Sequence, residues 1–201
     1  MKRILVEVLL FAVVTGVAQA APVTVDFSVL GADSYSITVP DFYTLDGVTF
    51  TYDNLGNLDD VAQIDAYGVF GTTYGNLIFN FLSPVSAVNF DFTMIGVYGP
   101  VNNALSVAFK NAGSSVGGLT VPASEFELYD PGNPLLGGDA CGTLSYSGAA
   151  FDQALISFSA DAPYFSIDSL TYTPAPEPSA LAVLAVGLLG LPGIRLARRK
   201  R

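Results

Sequence analysis

Val85-Ser86-Ala87-Val88-Asn89-Phe90-Asp91-Phe92-Thr93-Met94 is the stretch that decides the fold class. Successive side chains of a β-strand point to opposite faces, so Val88, Phe90, Phe92 and Met94 fall together on one face. Asn89, Asp91 and Thr93 fall on the other. A helix of 3.6 residues per turn would scatter these apolar groups around its axis. The stretch therefore predicts a strand with one buried face, central in a sheet.

The same period of two recurs on both sides. Val23-Thr24-Val25-Asp26-Phe27-Ser28-Val29, Tyr35-Ser36-Ile37-Thr38-Val39 and Val48-Thr49-Phe50-Thr51-Tyr52 all alternate, the second stopped by Pro40. The third is entered through Asp46-Gly47, a natural turn pair. Asn76-Leu77-Ile78-Phe79-Asn80-Phe81 reads as a strand separated from the central one by a break at Ser83-Pro84. Leu105-Ser106-Val107-Ala108-Phe109 follows, and Thr143-Leu144-Ser145-Tyr146 is a weaker strand. Ala154-Leu155-Ile156-Ser157-Phe158-Ser159 and Phe165-Ser166-Ile167-Asp168-Ser169-Leu170-Thr171-Tyr172 make a neighbouring pair joined by the turn Ala160-Asp161-Ala162-Pro163. No window of this middle sustains a 3.6-residue period, and the best helical candidate is a short one over residues 59–66. About ten short strands with frequent turn residues predict an antiparallel β-sandwich, jelly-roll-like.

The two ends differ in kind from this middle. Met1-Lys2-Arg3 precedes an apolar stretch over residues 4–17, interrupted by Glu7, and then Ala18-Gln19-Ala20. Small residues there fit cleavage before Ala21, so residues 1–20 are expected to be a signal peptide. At the other end residues 180–194 hold no charge and no strongly polar group, and Arg195, Arg198, Arg199, Lys200 and Arg201 follow. A helix over that segment falls a little short of a hydrocarbon core of about 30 Å. The basic cluster favours the cytoplasmic side and resists translocation.

Pro176-Glu177-Pro178, an apolar segment and a terminal basic cluster, in that order, resemble the PEP-CTERM sorting domain of exported proteins of Gram-negative bacteria. The resemblance covers about the last 28 residues, 174–201. It implies recognition of Pro176, Glu177 and Pro178 and removal of the tail by an exosortase. It also implies a single transmembrane helix in the inner membrane before processing, then a place at the cell surface or in an exopolysaccharide or biofilm matrix. Pro84 to Phe92 and Phe165 to Tyr172 resemble phrases of PEP-CTERM ectodomains, which implies a lectin-like or galactose-binding-like sandwich. Thr173-Pro174-Ala175-Pro176 then acts as a proline-stiffened linker at the end of a domain over 21–173.

Composition excludes much chemistry. Of the 18 acids, all but Glu7 and Glu177 lie in residues 21–173, where Lys110 is the one base, for a net charge of −15. Nucleic acid and anionic lipid would be repelled from such a surface. Absence of histidine removes Ser-His-Asp and Cys-His nucleophiles and histidine metal sites. Cys141 has no basic neighbour in sequence to lower its pKa, and as a lone cysteine it forms no internal disulfide.

Three functional candidates remain. Glu125 with Glu127 or Asp152 would be the carboxylate pair of a glycosidase, although acids two apart in a strand more simply share one solvated face. Asp53, Asn57, Asp59 and Asp60 lie in an Asx-rich stretch that offers oxygen ligands to calcium or, alternatively, forms a turn. Tyr43, Tyr67, Tyr74, Tyr98 and Tyr129 fall near loops and are candidates for stacking on sugar rings. The leading expectation is a non-enzymatic structural or adhesive matrix protein. The alternative is a calcium-assisted carbohydrate-binding module, and a carboxylate glycosidase stands behind both. The partners expected are signal peptidase, exosortase and exopolysaccharide.

Overall fold

The computed structural model describes residues 20–176, of which Ala21–Pro174 form one compact unit. Its strands are β1 (Val23–Thr24), β2 (Tyr35–Ser36), β3 (Tyr43–Leu45), β4 (Val48–Asp53), β5 (Ala62–Asp65) and β6 (Gly68–Thr72). They continue with β7 (Asn76–Val97), β8 (Val101–Asn111), β9 (Ser114–Ala123), β10 (Glu125–Leu128), β11 (Gly138–Phe158) and β12 (Tyr164–Pro174). Every pairing between these strands is antiparallel. Two short 3-10 turns, Phe27–Leu30 and Pro134–Leu136, are the helical segments among the described residues.

The strands form two layers that share β7 and β11. Residues 76–81 of β7 pair with β4 and with residues 153–157 of β11, which pair in turn with β8 and, through it, β9. Residues 85–97 of β7 pair with β12 and with residues 138–151 of β11, and this layer extends through β6 and β5 to β2 and, on the far side, to β10. Aromatic rings from the two layers meet between them. Phe79 meets Phe90 at 5.8 Å, Phe81 meets Tyr172 at 5.3 Å, and Phe158 stacks on Phe165 at 3.8 Å. Burying such side chains contributes roughly 1.5–3 kcal/mol each, with about 0.5–1.5 more for well-oriented ring pairs.

The alternation over 85–94 is realised as expected: Val88, Phe90, Phe92 and Met94 are buried and Asp91 is exposed. Several local expectations are corrected. Ser83-Pro84 does not end a strand but marks a bend within β7, where Leu82, Ser83 and Pro84 are exposed and have no partner in β11. Proline lacks an N–H, so a bend outside the ladder is where it costs least. The expected strand over 23–29 stops at Thr24. The Asp26 carboxylate accepts from the Ser28 N–H and caps a 3-10 turn instead. The strand over 35–39 shortens to Tyr35–Ser36 plus a single bridge from Thr38 to Tyr52. No helix forms over 59–66. Ala62 and Ile64 are buried and Gln63 exposed there, a period of two that makes β5. The weak strand 143–146 and the strand 154–159 prove to be parts of one long β11.

Tyr52 ties the layers together by polar contacts as well. Its hydroxyl donates to the Thr72 carbonyl at 2.7 Å, exchanges a bond with Thr72 Oγ1 at 2.9 Å and accepts from the Gly75 N–H at 2.7 Å. Burial pushes this hydroxyl above the ordinary tyrosine value, while the bonds from Thr72 and Gly75 offset part of the rise. A folded-state pKa above the unfolded value gives stability that is fully present below about pH 10 and lost as pH rises through the folded value. Tyr52→Phe should therefore cost about 1–3 kcal/mol at neutral pH by stranding the Gly75 donor. Denaturant titrations from pH 8 to 12 should show its deficit against wild type shrinking above pH 10; a constant deficit would count against this account.

Candidate functional site

The outer face of the layer containing β12 carries the groups that a ligand could use. Directly paired residues share a face. Phe70, Ser166, Thr93, Cys141 and Glu125 thus form one row running across β6, β12, β7, β11 and β10, and Gln63 and Ser36 extend it through β5 and β2. At one end of this row stand two aromatic rings.

Local backbone requirements put them there. In the β5–β6 turn the Asp65 carboxylate accepts from the Tyr67 N–H at 2.8 Å. Gly68 then takes φ 130°, a conformation that side-chain-bearing residues avoid, and a Cβ would lie 2.0 Å from the Ile167 carbonyl oxygen. At Gly71 a Cβ would meet Ala62 at 2.7 Å and the Phe165 ring at 2.9 Å. These two glycines let β6 lie close against β5 and β12. Val69 is buried, so Phe70 points outward. Phe165 is buried likewise, so Tyr164 points outward. The two rings stack at 5.6 Å with 22° between their planes, 37% and 43% exposed.

Beside the pair is a depression of about 310 Å³, lined also by Ser34, Ser36, Gln63 and Thr72. That volume lies at the lower end of the roughly 300–1,000 Å³ range of small-molecule sites. Ser34 Oγ donates to Gln63 Oε1 at 2.9 Å, which engages the amide's acceptor and leaves its NH2 to donate to a ligand. An apolar ring surface with hydroxyl and amide groups around it fits a molecule with one apolar face and a rim of hydroxyls.

A second depression of about 540 Å³ lies further along the same face, lined by Asp91, Thr93, Glu125, Cys141, Thr143 and Asp168 among others. Asp91 is held there by Thr143 Oγ1 at 2.7 Å and Ser169 Oγ at 3.0 Å. Cys141 is half-buried, with Thr93 Oγ1 3.5 Å from its sulfur.

The sequence-derived candidates are distributed differently. Tyr67, Tyr74, Tyr98 and Tyr129 are exposed at loops or strand ends, while Tyr43 packs against Tyr35 at 4.7 Å with the rings tilted by 34°. Tyr129 donates to Asp139 at 2.6 Å and accepts from the Gly96 N–H. Burial, then the Asp139 bond, raises its pKa. None of these five lines the 310 Å³ depression; the sequence reading passed over Phe70 and Tyr164. Their signal lay in Val69-Phe70 and Tyr164-Phe165, where two adjacent apolar residues in a strand must face opposite ways. Glu125 and Glu127 pair with the start of β11, whereas Asp152 lies near its other end and accepts from the Ala112 N–H at the β8–β9 turn. Asp152 is therefore not brought to either glutamate.

In the Asx-rich stretch, Asp53 accepts from the Leu55 N–H, Asn54 from the Gly56 N–H and Asn57 from the Asp59 N–H. Asp60 is buried and accepts from Asn57 Nδ2 at 2.7 Å. These are turn bonds. Among the described residues no three acidic or cysteine side chains converge as a metal site would need. Ala20, Ala21 and Pro176 are described, Ala21 and Pro176 as exposed; Ala18, Glu177, Pro178, the apolar segment and the basic cluster lie outside the described residues. No helix among the described residues is long and apolar enough to cross a membrane.

No protein-family model and no curated protein sequence matches the chain. Among solved structures it is similar to a family 29 carbohydrate binding module complexed with cellulohexaose, at TM-score 0.43 and 11% identity over 78% of this chain and 92% of that one. It is also similar to the xylan-binding module CBM15, at TM-score 0.35 and 14% identity over 79% of this chain and 99% of that one. A third is the low-affinity xylan binding module CBM86 from Roseburia intestinalis, at TM-score 0.31 and 15% identity over 71% and 95%.

Asp60→Ala removes the buried carboxylate that accepts from the exposed Asn57 amide and should cost about 0.5–1.5 kcal/mol, the usual net worth of one hydrogen bond. Thermal melts should show the same loss in excess calcium and in chelator. A loss confined to the calcium sample would mean that the stretch holds a cation.

Proposed function

We propose that the chain is an exported, non-enzymatic matrix protein whose jelly-roll-like β-sandwich binds carbohydrate on the outer face of the β12 layer. The observation that carries this reading is the stacked, half-exposed Phe70–Tyr164 pair beside a depression rimmed by Ser36, Gln63 and Thr72. A pyranose ring has an apolar face of C–H groups that packs on aromatic rings, and equatorial hydroxyls that meet side-chain amides and hydroxyls. A rigid sheet holds both sets of contacts in place before binding, which lowers the ordering cost of association. The adhesive role and the carbohydrate-binding role are then one: the domain touches polysaccharide through this face.

Binding of soluble glycans to the purified protein, followed by calorimetry, tests the site. Phe70→Ala and Tyr164→Ala should each weaken binding at least about tenfold, or about 1.4 kcal/mol. Tyr98→Ala, in an exposed loop away from the depression, should bind as wild type. Unchanged affinity in both platform variants would remove the proposal.

Export and sorting are supported by the ordered Pro176-Glu177-Pro178, apolar and basic parts of residues 174–201 together with the N-terminal segment before Ala21. In the producing cell the mature protein is expected to begin near Ala21 and to have lost the basic cluster. Intact mass of the native protein decides this; a retained Arg195–Arg201 end would refute processing.

A further inference from the structure

The charges around the aromatic pair narrow the class of carbohydrate. Asp33 precedes Ser34 of the depression and accepts from the Tyr35 hydroxyl. Asp65 follows Gln63 by two residues on β5, on the same face. Asp168 is exposed on β12 and accepts from Ser166, the residue in register with Phe70. Asp91 and Glu125 line the second depression. Lys110 is the one base among the described residues, and it lies on the other layer, in register with Gln153 of β11. The carboxylates of this face are therefore not neutralised by any lysine or arginine of the described residues. With a screening length of about 8 Å at physiological salt, they repel an anion that comes within contact distance of the rings.

The geometry supplies extent as well as sign. The two depressions are joined by the row Ser166–Thr93, and Val121 and Pro122 of β9 close the far side of the second one. From β5 to β10 the row crosses five strand intervals, on the order of 24 Å at about 4.8 Å each. Hydroxyls of Ser166, Ser169 and Thr143 lie along the way, and Asp91 is fixed by two of them as an acceptor for ligand hydroxyls.

Resting on the carbohydrate-binding reading, we propose that this face takes an extended, uncharged glycan chain laid across the strands from the Phe70–Tyr164 depression to the Asp91–Thr143 depression, and that it rejects polyanionic glycans. The site thereby selects among polysaccharides by charge. Acidic chains are excluded by the field and neutral chains of several units gain over short ones by reaching the second depression.

The test uses the full-length protein with disaccharides and hexasaccharides of the neutral gluco-, xylo- and manno-series, and with polygalacturonate, at low and physiological salt. Within the series that binds, the hexasaccharide should bind at least about tenfold tighter than the disaccharide. Its affinity should change little with salt, as expected for an uncharged ligand. Polygalacturonate should not bind at low salt, and Asp168→Lys should admit it there while circular dichroism confirms a wild-type fold. Equal affinity for short and long neutral chains, or low-salt binding of polygalacturonate to wild type, overturns this inference while leaving the Phe70–Tyr164 platform standing. Failure of every ligand to bind overturns the platform and this inference together.

Discussion

Phe79 and Phe90 lie on the same strand, yet their rings meet edge to face at 5.8 Å. A straight strand rises about 3.3 Å per residue, so residues eleven apart would stand some 36 Å from each other. The contact exists because β7 bends at residues 82–84 and folds its second half over its first. β11 irregularly shifts register beside that bend, between Ser147 and Phe151, and follows it from one layer to the other. Phe81 and Phe151, one from each strand, close the corner at 5.6 Å. β4, β8, β10 and β12 take their layer from the half of β7 or β11 that they pair with, and the remaining strands follow through these four. The sandwich is thus two long antiparallel strands folded double, with shorter strands added at both sides.

This constraint explains what was readable in the amino-acid sequence. Burial on one face imposes a period of two, so β4, both halves of β7 and the centre of β8 could be read from Val48, Phe50, Tyr52 and their like. Continuity could not. Ser83-Pro84 signals an interruption of pairing, and a bend interrupts pairing just as a strand end does. β9 was not read because its residues, Ser114-Ser115-Val116-Gly117-Gly118-Leu119-Thr120, bury little; an edge strand needs no clean alternation. The failed helix over 59–66 has the opposite cause. Residues 59–66 are too few to show a sustained period, and Thr38 Oγ1, which accepts from the Ala62 N–H and donates to the Ala62 carbonyl, holds the stretch extended beside β2.

Site legibility follows the same division. Loop tyrosines are visible in a sequence because turn residues surround them, and four of the five do lie exposed. Exposure at scattered loops does not make a surface. A platform needs rings from different strands brought together by pairing, and the pairing of β6 with β12 joins residues 94 positions apart, Phe70 and Tyr164. Only the register supplies that information. The acids were readable as a total charge and became informative once the register placed them by face.

The two outer faces of the sandwich show why ligand binding belongs to one of them. On the β8 side, side chains satisfy each other: Gln153 donates to Asn80 at 2.8 Å, Ser157 to Asn76 at 2.6 Å, and Ser106 shares a bond with Thr120 at 3.1 Å. Between these bonds the rows carry Thr51, Ile78, Leu155 and Ala108, which offer no ring to stack on. A ligand there would have to break side-chain bonds already made, and would recover in exchange about what it lost. On the β12 side the aromatic pair is half exposed and the Gln63 amide retains its donors, so bonds to a ligand add to those already formed rather than replacing them. The same sheet chemistry serves stability on one face and leaves capacity for recognition on the other.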